Sequence, residues 1–221
     1  MRGGWLRATV LGANDGLLST GALLLGVVAA GADRDVVMTS GIAGLVAGAG
    51  SMALGEYVSV SSQRDAERAD RVMEQQHLEA DPVGELEELR EIYEDRGLPH
   101  ELAEEVAEVL MAEDPLGAHL RDELGLTHLN RARPMQAALS SFVAFGLGAA
   151  IPIAVAGTAG PSIRGVAIVV ATLVSLAMLG GLAAWLGGAS VVRGATRVLL
   201  GGALGLAVTF AVGSMLDVAV S

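Results

Sequence analysis

An Asn-Asp pair interrupts the first apolar run of the chain, within the stretch ANDGLLST. Residues 8–30 are otherwise apolar or small, and as one helix they would cross a hydrocarbon core of ~30 Å. A carboxylate inside such a helix costs roughly 2.5–3.5 kcal/mol to insert, so we expect Asp15 to face a bundle interior or a water path. There it can hold a divalent cation, a proton, or each in turn. In the structural alternative, Asn14 donates to the carboxylate, or a backbone carbonyl accepts from the protonated carboxyl group.

The second apolar run offers a different pair of ligand atoms in GSMALGEYVSV. Met52 and Glu56 are four residues apart, which places both on one face of a helix. A thioether is a soft ligand and suits a cation that gives up part of its water, such as Fe²⁺. Glu56 is near the end of the run and would form the mouth of a pore. The alternatives are that Met52 fills a packing gap and that Glu56 is an interfacial charge.

Ligand-type residues also recur at helical spacing in the polar middle of the chain. The spacing predicts three pairs, each on one helix face: Glu74 with His77, Glu85 with Glu88, and His119 with Glu123. The E-x-x-H spacing is found in carboxylate-bridged di-iron bundles, and carboxylate and imidazole ligands suit Fe²⁺ or Mn²⁺. The alternative is a solvated acidic face. We interpret four acids and the two other histidines as surface residues: Glu101, Glu104, Glu105, Glu108, His100 and His128.

Five apolar runs, each close to the ~20 residues of a spanning helix, set the frame for these pairs. They cover residues 8–30, 36–60, 134–156, 162–186 and 194–218. Between them, residues 61–133 contain twenty Asp or Glu, eight Arg and all four histidines. We predict an all-α polytopic membrane protein with domains at 1–60, 61–133 and 134–221. The second spanning helix should continue to about residue 79, followed by insert helices over 84–95, 100–112 and 116–124. Apolar residues at helical spacing predict one buried stripe on each: Leu86, Leu89 and Ile92 on the first, and Leu102, Val106, Val109 and Leu110 on the second.

Composition excludes several classes of function. The 221 residues are 52% hydrophobic with 30 glycines and a mean hydropathy of +0.53, which is too apolar for a soluble domain. The lack of cysteine excludes disulfides and thiolate metal sites. A net charge of −11 argues against nucleic acid and favours cations as partners. The sequence encodes no phosphate-binding loop with a lysine, so ion movement would have to use a gradient.

Arginines are concentrated on one side of the predicted spans. Arg2 and Arg7 precede the first span, eight arginines fall within residues 61–133, and Arg193 and Arg197 lie at the connection to the last span. The opposite side has only Arg34 and Arg164. By the positive-inside tendency, the N-terminus and the insert are cytoplasmic and the C-terminus is outside.

Several short motifs resemble the vacuolar iron transporter family over the chain from about Gly12 to its end. They are ANDGLLST, GSMALGEYVSV, QRDAE, EIYEDRGL, RDELGL and the IP of the third span. The resemblance implies a homodimer of five-helix protomers with a cytoplasmic helical metal-binding domain. It also implies export of Fe²⁺, and often Mn²⁺, from the cytoplasm in exchange for protons. In a bacterial member the membrane would be the plasma membrane.

By position, Asp15 looks like the essential aspartate of the family and Met52 like its pore methionine. Four acids fall where the resemblance implies ligating glutamates: Glu74, Glu85, Glu88 and Glu123. The chain departs from the pattern at Gly44, where plant members have a glutamate, and at His77, which replaces a glutamate. His119 and Leu120 replace a pair of methionines. These departures make the site richer in imidazole and less soft.

The sequence therefore favours an antiporter in which Fe²⁺ collected by the insert passes Glu56 and Met52 at a dimer interface. Metal and proton would then compete for Asp15. The main alternative is a membrane-anchored di-iron oxidase or iron store, whose spans would have no need of an intramembrane carboxylate. A cation channel, with flux that is independent of pH, is the third interpretation.

Overall fold

The computed structural model describes residues 4–126 and 132–220, with side chains over 7–126 and 132–215. Two residues named above lie outside the described residues: His128, predicted to be at the surface, and Arg2, which precedes the first predicted span. Within these ranges the chain is helical without strands, as predicted. The helices are α1 (Gly4–Ala29), α2 (Arg34–Ala80), α3 (Pro82–Asp95), α4 (His100–Glu113), α5 (Pro115–Asp122), α6 (Pro134–Thr158), α7 (Arg164–Leu186) and α8 (Val191–Val220).

Five of these helices, α1, α2, α6, α7 and α8, are long and apolar enough to cross a membrane. The predicted continuation of the second span is confirmed, because α2 is one uninterrupted helix of 47 residues. At 1.5 Å per residue its length is about 70 Å, more than twice the hydrocarbon thickness of a bilayer. Its apolar part reaches Val60, and the residues from Ser61 onward are mostly polar or charged.

The chain divides into two compact units. Over the described residues, one unit takes in 58–126 and 132–134, and we name it the insert unit. The other takes in 4–57 and 135–220, and we name it the membrane unit because it contains the apolar parts of the five long helices. The predicted domain limits, which assign a separate role to residues 61–133, stay a prediction.

Close helix contacts in the membrane unit depend on glycine. A Cβ on Gly16 would overlap the backbone carbonyl of Phe145, so α1 and α6 pack at backbone distance. On α2, a Cβ on Gly48 would overlap the ring of the same phenylalanine, whose side chain is buried. A fully buried cluster that includes Leu24 of α1, Val37 of α2 and Ile168 of α7 forms the core. These contacts fix the faces that α1 and α2 turn toward each other.

The insert unit has its own small core, formed by Leu89, Ala107 and Ala118. Helix α3 starts at Asp81, whose carboxylate accepts a hydrogen bond from the Gly84 amide at 3.0 Å. Asp114 caps α5 in the same way, accepting from the Gly117 amide at 3.0 Å. Proline follows each cap, where its missing N–H costs nothing.

The predicted apolar stripe of α4 is wrong in part. Leu102 and Val109 are 47% and 59% exposed, whereas Ala103 and Ala107 are fully buried. The small alanine side chains allow a close approach of neighbouring helices, which a leucine at those positions would prevent. Volume at the contact therefore overrides hydrophobicity in setting the buried face of α4. The acids on its other face are exposed, as predicted: Glu101, Glu104, Glu105 and Glu108.

Candidate metal sites

A buried histidine is the centre of a carboxylate cluster in the insert. The side chain of His119 is fully buried, and its Nδ1 lies 3.2 Å from Glu74 Oε1. The same nitrogen lies 3.5 Å from Glu85 Oε2 and 3.5 Å from Glu123 Oε2. Three different segments supply these groups, since Glu74 belongs to α2, Glu85 to α3, and His119 and Glu123 to α5 and its C-cap. The structure thus brings together four of the six insert residues that the sequence analysis predicts as ligands.

The geometry of the cluster suits a cation better than a set of hydrogen bonds. Glu74 Oε1 and both ring nitrogens of His119 are buried without an aligned hydrogen bond, although Glu74 Oε1 and His119 Nδ1 lie 3.2 Å apart. A buried polar group without a partner costs about 1–3 kcal/mol of folding stability, and a ligand bound to these three atoms would remove that cost. Ligand atoms of Glu74, His119 and Glu123 all lie within 4.8 Å of one another. One ion with ligand distances of about 2.0–2.2 Å spans up to about 4.4 Å between two ligand atoms, so the three atoms lie close to the spacing that one ion requires.

Electrostatics in the cluster also favour a bound positive charge. Burial raises the pKa of Glu74 above its ordinary value, and the nearby carboxylates of Glu123 and Glu85 raise it further. His119 and His77 act in the opposite direction without cancelling the rise in this pKa. A divalent cation would relieve the repulsion among the acids and would have to displace any proton held there.

The other two predicted ligands lie outside this group. The side chains of His77 and Glu88 are exposed, whereas those of Glu74 and Glu85 are buried. In the part of the chain that the structure describes, Glu74, His119 and Glu123 form the group of three close ligand-type residues. Leu120, where the resemblance implies a methionine, is buried in the insert and supplies no ligand atom. The roles of His77 and Glu88 as ligands stay predictions.

A separate cavity of about 320 Å³ lies in the membrane unit. It places Asp15 of α1 and Met52 of α2 on one surface, together with Phe145 of α6. Gly44, the position of the departure from the plant pattern, also lines it. Glu56 lies one helical turn beyond Met52 and is not part of the lining. The structure thus brings together two of the three predicted pathway residues.

Three hydroxyl groups in the cavity were missed by the sequence analysis. Ser19, Thr20 and Ser51 line it, and Thr20 Oγ1 is buried without a hydrogen-bond partner. The spacing of Asp15 and Ser19, four residues apart on one helix, was the signal that could have identified one of them. With these groups the cavity offers hard oxygen ligands beside the soft sulfur of Met52.

The environment of Asp15 does not match the structural alternative. Its side chain is exposed, and over the described residues no hydrogen bond joins its carboxylate to Asn14 or to a backbone group. Asn14 Oδ1 is itself buried without a partner. The Ser19 hydroxyl donates to the backbone carbonyl of Asp15 and leaves the carboxylate free for another ligand.

Comparisons with known proteins cover nearly the whole chain. The model of the VIT family matches residues 6–214. A protein of Acanthamoeba castellanii named vacuolar iron transporter is 45% identical over 211 residues, which cover 95% of this chain and 78% of the relative. A vacuolar iron transporter homolog 1 of Arabidopsis thaliana is 40% identical over 95% of this chain and 82% of its own length. A vacuolar iron transporter homolog 1 of Oryza sativa subsp. japonica is 37% identical over 96% of this chain and 73% of its own length. The chain therefore belongs to the VIT family.

Proposed function

We propose that this chain is a secondary transporter that exports Fe²⁺ from the cytoplasm in exchange for protons. The names of its relatives support iron transport as the general activity. The observation that carries the mechanism is the cavity in which an intramembrane carboxylate, Asp15, faces the same space as the thioether of Met52. A carboxylate in that position binds either a metal ion or a proton, and this competition is the minimal device for antiport.

The ligand set of the cavity fits a partly dehydrated transition-metal ion. Asp15 and the hydroxyls of Ser19, Thr20 and Ser51 offer oxygen atoms, and Met52 adds one soft sulfur. Sulfur favours Fe²⁺ over Mg²⁺ and Ca²⁺, while the oxygens keep Mn²⁺ acceptable as a second substrate. Glu56, farther along α2, would guide the ion to the mouth of the cavity.

The insert would collect the substrate on the cytoplasmic side. Residues 61–133 contain twenty acids against eight arginines, so the insert concentrates cations near its surface. Glu74, Glu85, His119 and Glu123 would then hold one ion, with His77 and Glu88 as outer ligands. The arginine distribution supports the cytoplasmic placement of the insert and of the N-terminus, with the C-terminus outside. The membrane would be the plasma membrane.

A homodimer would complete the pathway. Within one protomer only 17% of the apolar window of α2 is buried, against 39% for α1. The exposed face of α2 includes Ser51, which also borders the cavity. A second copy seated against α2 would cover this face and bring two cavities together.

The test is metal flux into proteoliposomes that contain the purified protein and an internal pH dye. Mn²⁺ serves as an oxygen-stable probe beside Fe²⁺, and Asp15→Asn is compared with Asp35→Asn, the same change outside the cavity. We expect metal entry with matching proton exit in the wild type and in Asp35→Asn, and neither in Asp15→Asn. Full proton-coupled transport by Asp15→Asn would refute the proposal. Metal flux without a pH change would identify a channel.

The oxidase alternative needs two bridged metal ions, each with its own ligands. The buried cluster contains a single imidazole, that of His119, while His77 is exposed. This arrangement favours one ion and argues against a di-iron centre. Sustained oxygen-dependent turnover of Fe²⁺ to Fe³⁺ by the purified protein, without metal flux, would favour the oxidase instead.

A further inference from the structure

The helix that supplies two of the four insert ligands is too short to hold its own position. Helix α5 has eight residues, and His119 and its C-cap Glu123 both depend on where it ends. Isolated helices of this length are unstable in water, so tertiary contacts must fix α5. Its N-terminus has the Asp114 cap, but the ligands lie at the other end.

A charged cluster fixes that other end to α3. The Arg96 guanidinium donates to Asp122 Oδ1 at 2.8 Å and to the Asp122 backbone carbonyl at 2.8 Å. The Tyr93 hydroxyl donates to Asp122 Oδ2 at 3.2 Å, and Arg121 donates to the same oxygen at 2.9 Å. Arg96 also stacks over the Tyr93 ring, with its guanidinium carbon 4.9 Å from the ring centre. We name Tyr93, Arg96, Arg121 and Asp122 the Asp122 clamp.

The clamp both fixes the C-terminal end of α5 and occupies the carboxylate of Asp122. Arg96 binds both the side chain and the backbone carbonyl of Asp122, so it fixes the last turn of α5 as well as one carboxylate. The Asp122 side chain is only 10% exposed, and both of its oxygens accept hydrogen bonds from the clamp. Asp122 is therefore not available to the metal, although it is adjacent to the ligand Glu123.

We propose that Asp122, held by Arg96 and Tyr93, is a positioning residue that sets the distances from His119 and Glu123 to the carboxylates of α2 and α3. This inference rests on the proposed metal site in the insert. It also accounts for two motifs, EIYEDRGL and RDELGL, that contain the clamp residues and that metal ligation alone leaves largely unexplained.

The experiment is a Co²⁺ titration of the full-length protein in detergent, followed through the visible absorption bands of bound Co²⁺. The signal that remains in His119→Ala is subtracted, so that only binding at the insert cluster is counted. We expect Asp122→Asn to weaken this binding by roughly 10–100-fold and to change the band shape, because partners that orient metal ligands contribute that much to affinity.

The matched control is Glu94→Gln, which disrupts a comparable ion pair with Arg90 and His100 that joins α3 to the start of α4 and contacts no ligand. We expect it to lower the melting temperature of the metal-free protein about as much as Asp122→Asn. Its Co²⁺ affinity should stay within about twofold of the wild type.

Two results would overturn the clamp proposal: wild-type Co²⁺ affinity and bands in Asp122→Asn, or equal losses of affinity in Asp122→Asn and Glu94→Gln. If Asp122→Asn does not fold, Arg96→Lys decides the matter. This change keeps the charge but removes the two separate guanidinium nitrogens that bond the carboxylate and the backbone carbonyl of Asp122. Weaker binding by Arg96→Lys would support the clamp, and unchanged binding would refute it. A wild-type signal no larger than that of His119→Ala would instead refute the metal site itself.

Discussion

Replacing Glu74 with glutamine should change two properties of the protein in opposite directions. Glu74 is 3% exposed and has a carboxylate of Glu123 within 4.8 Å. Two charges at that separation repel by about 3.5 kcal/mol at an effective dielectric constant of 20. His119, which lowers the pKa of Glu74, offsets part of this repulsion. We therefore expect Glu74→Gln to stabilise the metal-free insert by about 1–2 kcal/mol at neutral pH, because it removes the net repulsion. Its metal affinity should fall at least about tenfold through loss of a charged ligand.

The pH dependence of the stability gain follows from the pKa of Glu74, which folding raises. A group with a raised pKa in the folded state binds its proton more tightly there than in the unfolded chain. The contribution of Glu74 to the free energy of unfolding is therefore fully present below the ordinary carboxyl pKa of about 4.5. It is lost as the pH rises through the higher pKa of the folded state. The gain in stability of metal-free Glu74→Gln over the wild type should therefore be large at pH about 7 and absent at pH about 4.

The assay is thermal unfolding of the full-length protein in detergent, measured with chelator and with excess Mn²⁺ at both pH values. A gain of 1 kcal/mol raises the melting temperature of a unit of this size by about 4–8 °C. Glu108→Gln, on the exposed face of α4, is the control and should stay within about 0.5 kcal/mol of the wild type. A lower melting temperature for metal-free Glu74→Gln at neutral pH would refute the electrostatic account, as would an equal gain at both pH values.

Three further substitutions test separate parts of the molecule. Met52→Leu keeps the apolar volume but removes the sulfur, so Fe²⁺ flux should fall more than Mn²⁺ flux. An equal decrease in both fluxes would show that the thioether has no role in selectivity. Gly48→Ala places a Cβ against the Phe145 ring and should reduce flux and melting temperature together, which wild-type values would contradict. Leu89→Ala removes a fully buried side chain of the insert and should cost about 2–5 kcal/mol, checked by thermal unfolding; a loss below about 1 kcal/mol would mean that this core is loosely packed.

Local patterns in the sequence were enough to predict the helices. The continuity of α2 follows from the absence of a breaker before Asp81 and Pro82, and the spans follow from the length of the apolar runs. The pairing of His119 with Glu123 is likewise local, because four residues make one helical turn.

The choice of which faces meet was not contained in those patterns. Glu74 and Glu85 are buried while His77 and Glu88, one turn away, are exposed, because the packing of α3 and α5 selects one side of each helix. On α4 the same packing buries Ala103 in preference to Leu102. Tertiary contacts of this kind depend on residues far apart in the chain, so helical periodicity in one segment cannot specify them.

The most direct test of the antiport account is accumulation of metal against its own gradient. Proteoliposomes loaded at pH about 6 are diluted into buffer at pH about 7, with Mn²⁺ equal on both sides. If two protons leave for each ion that enters, one pH unit supports roughly 100-fold accumulation, since each proton contributes a factor of ten. The account predicts Mn²⁺ uptake well above the external concentration, abolished in Asp15→Asn and by collapsing the pH gradient. Mn²⁺ that stays at equal concentration across the membrane, with the wild-type protein present and the pH gradient intact, would contradict it.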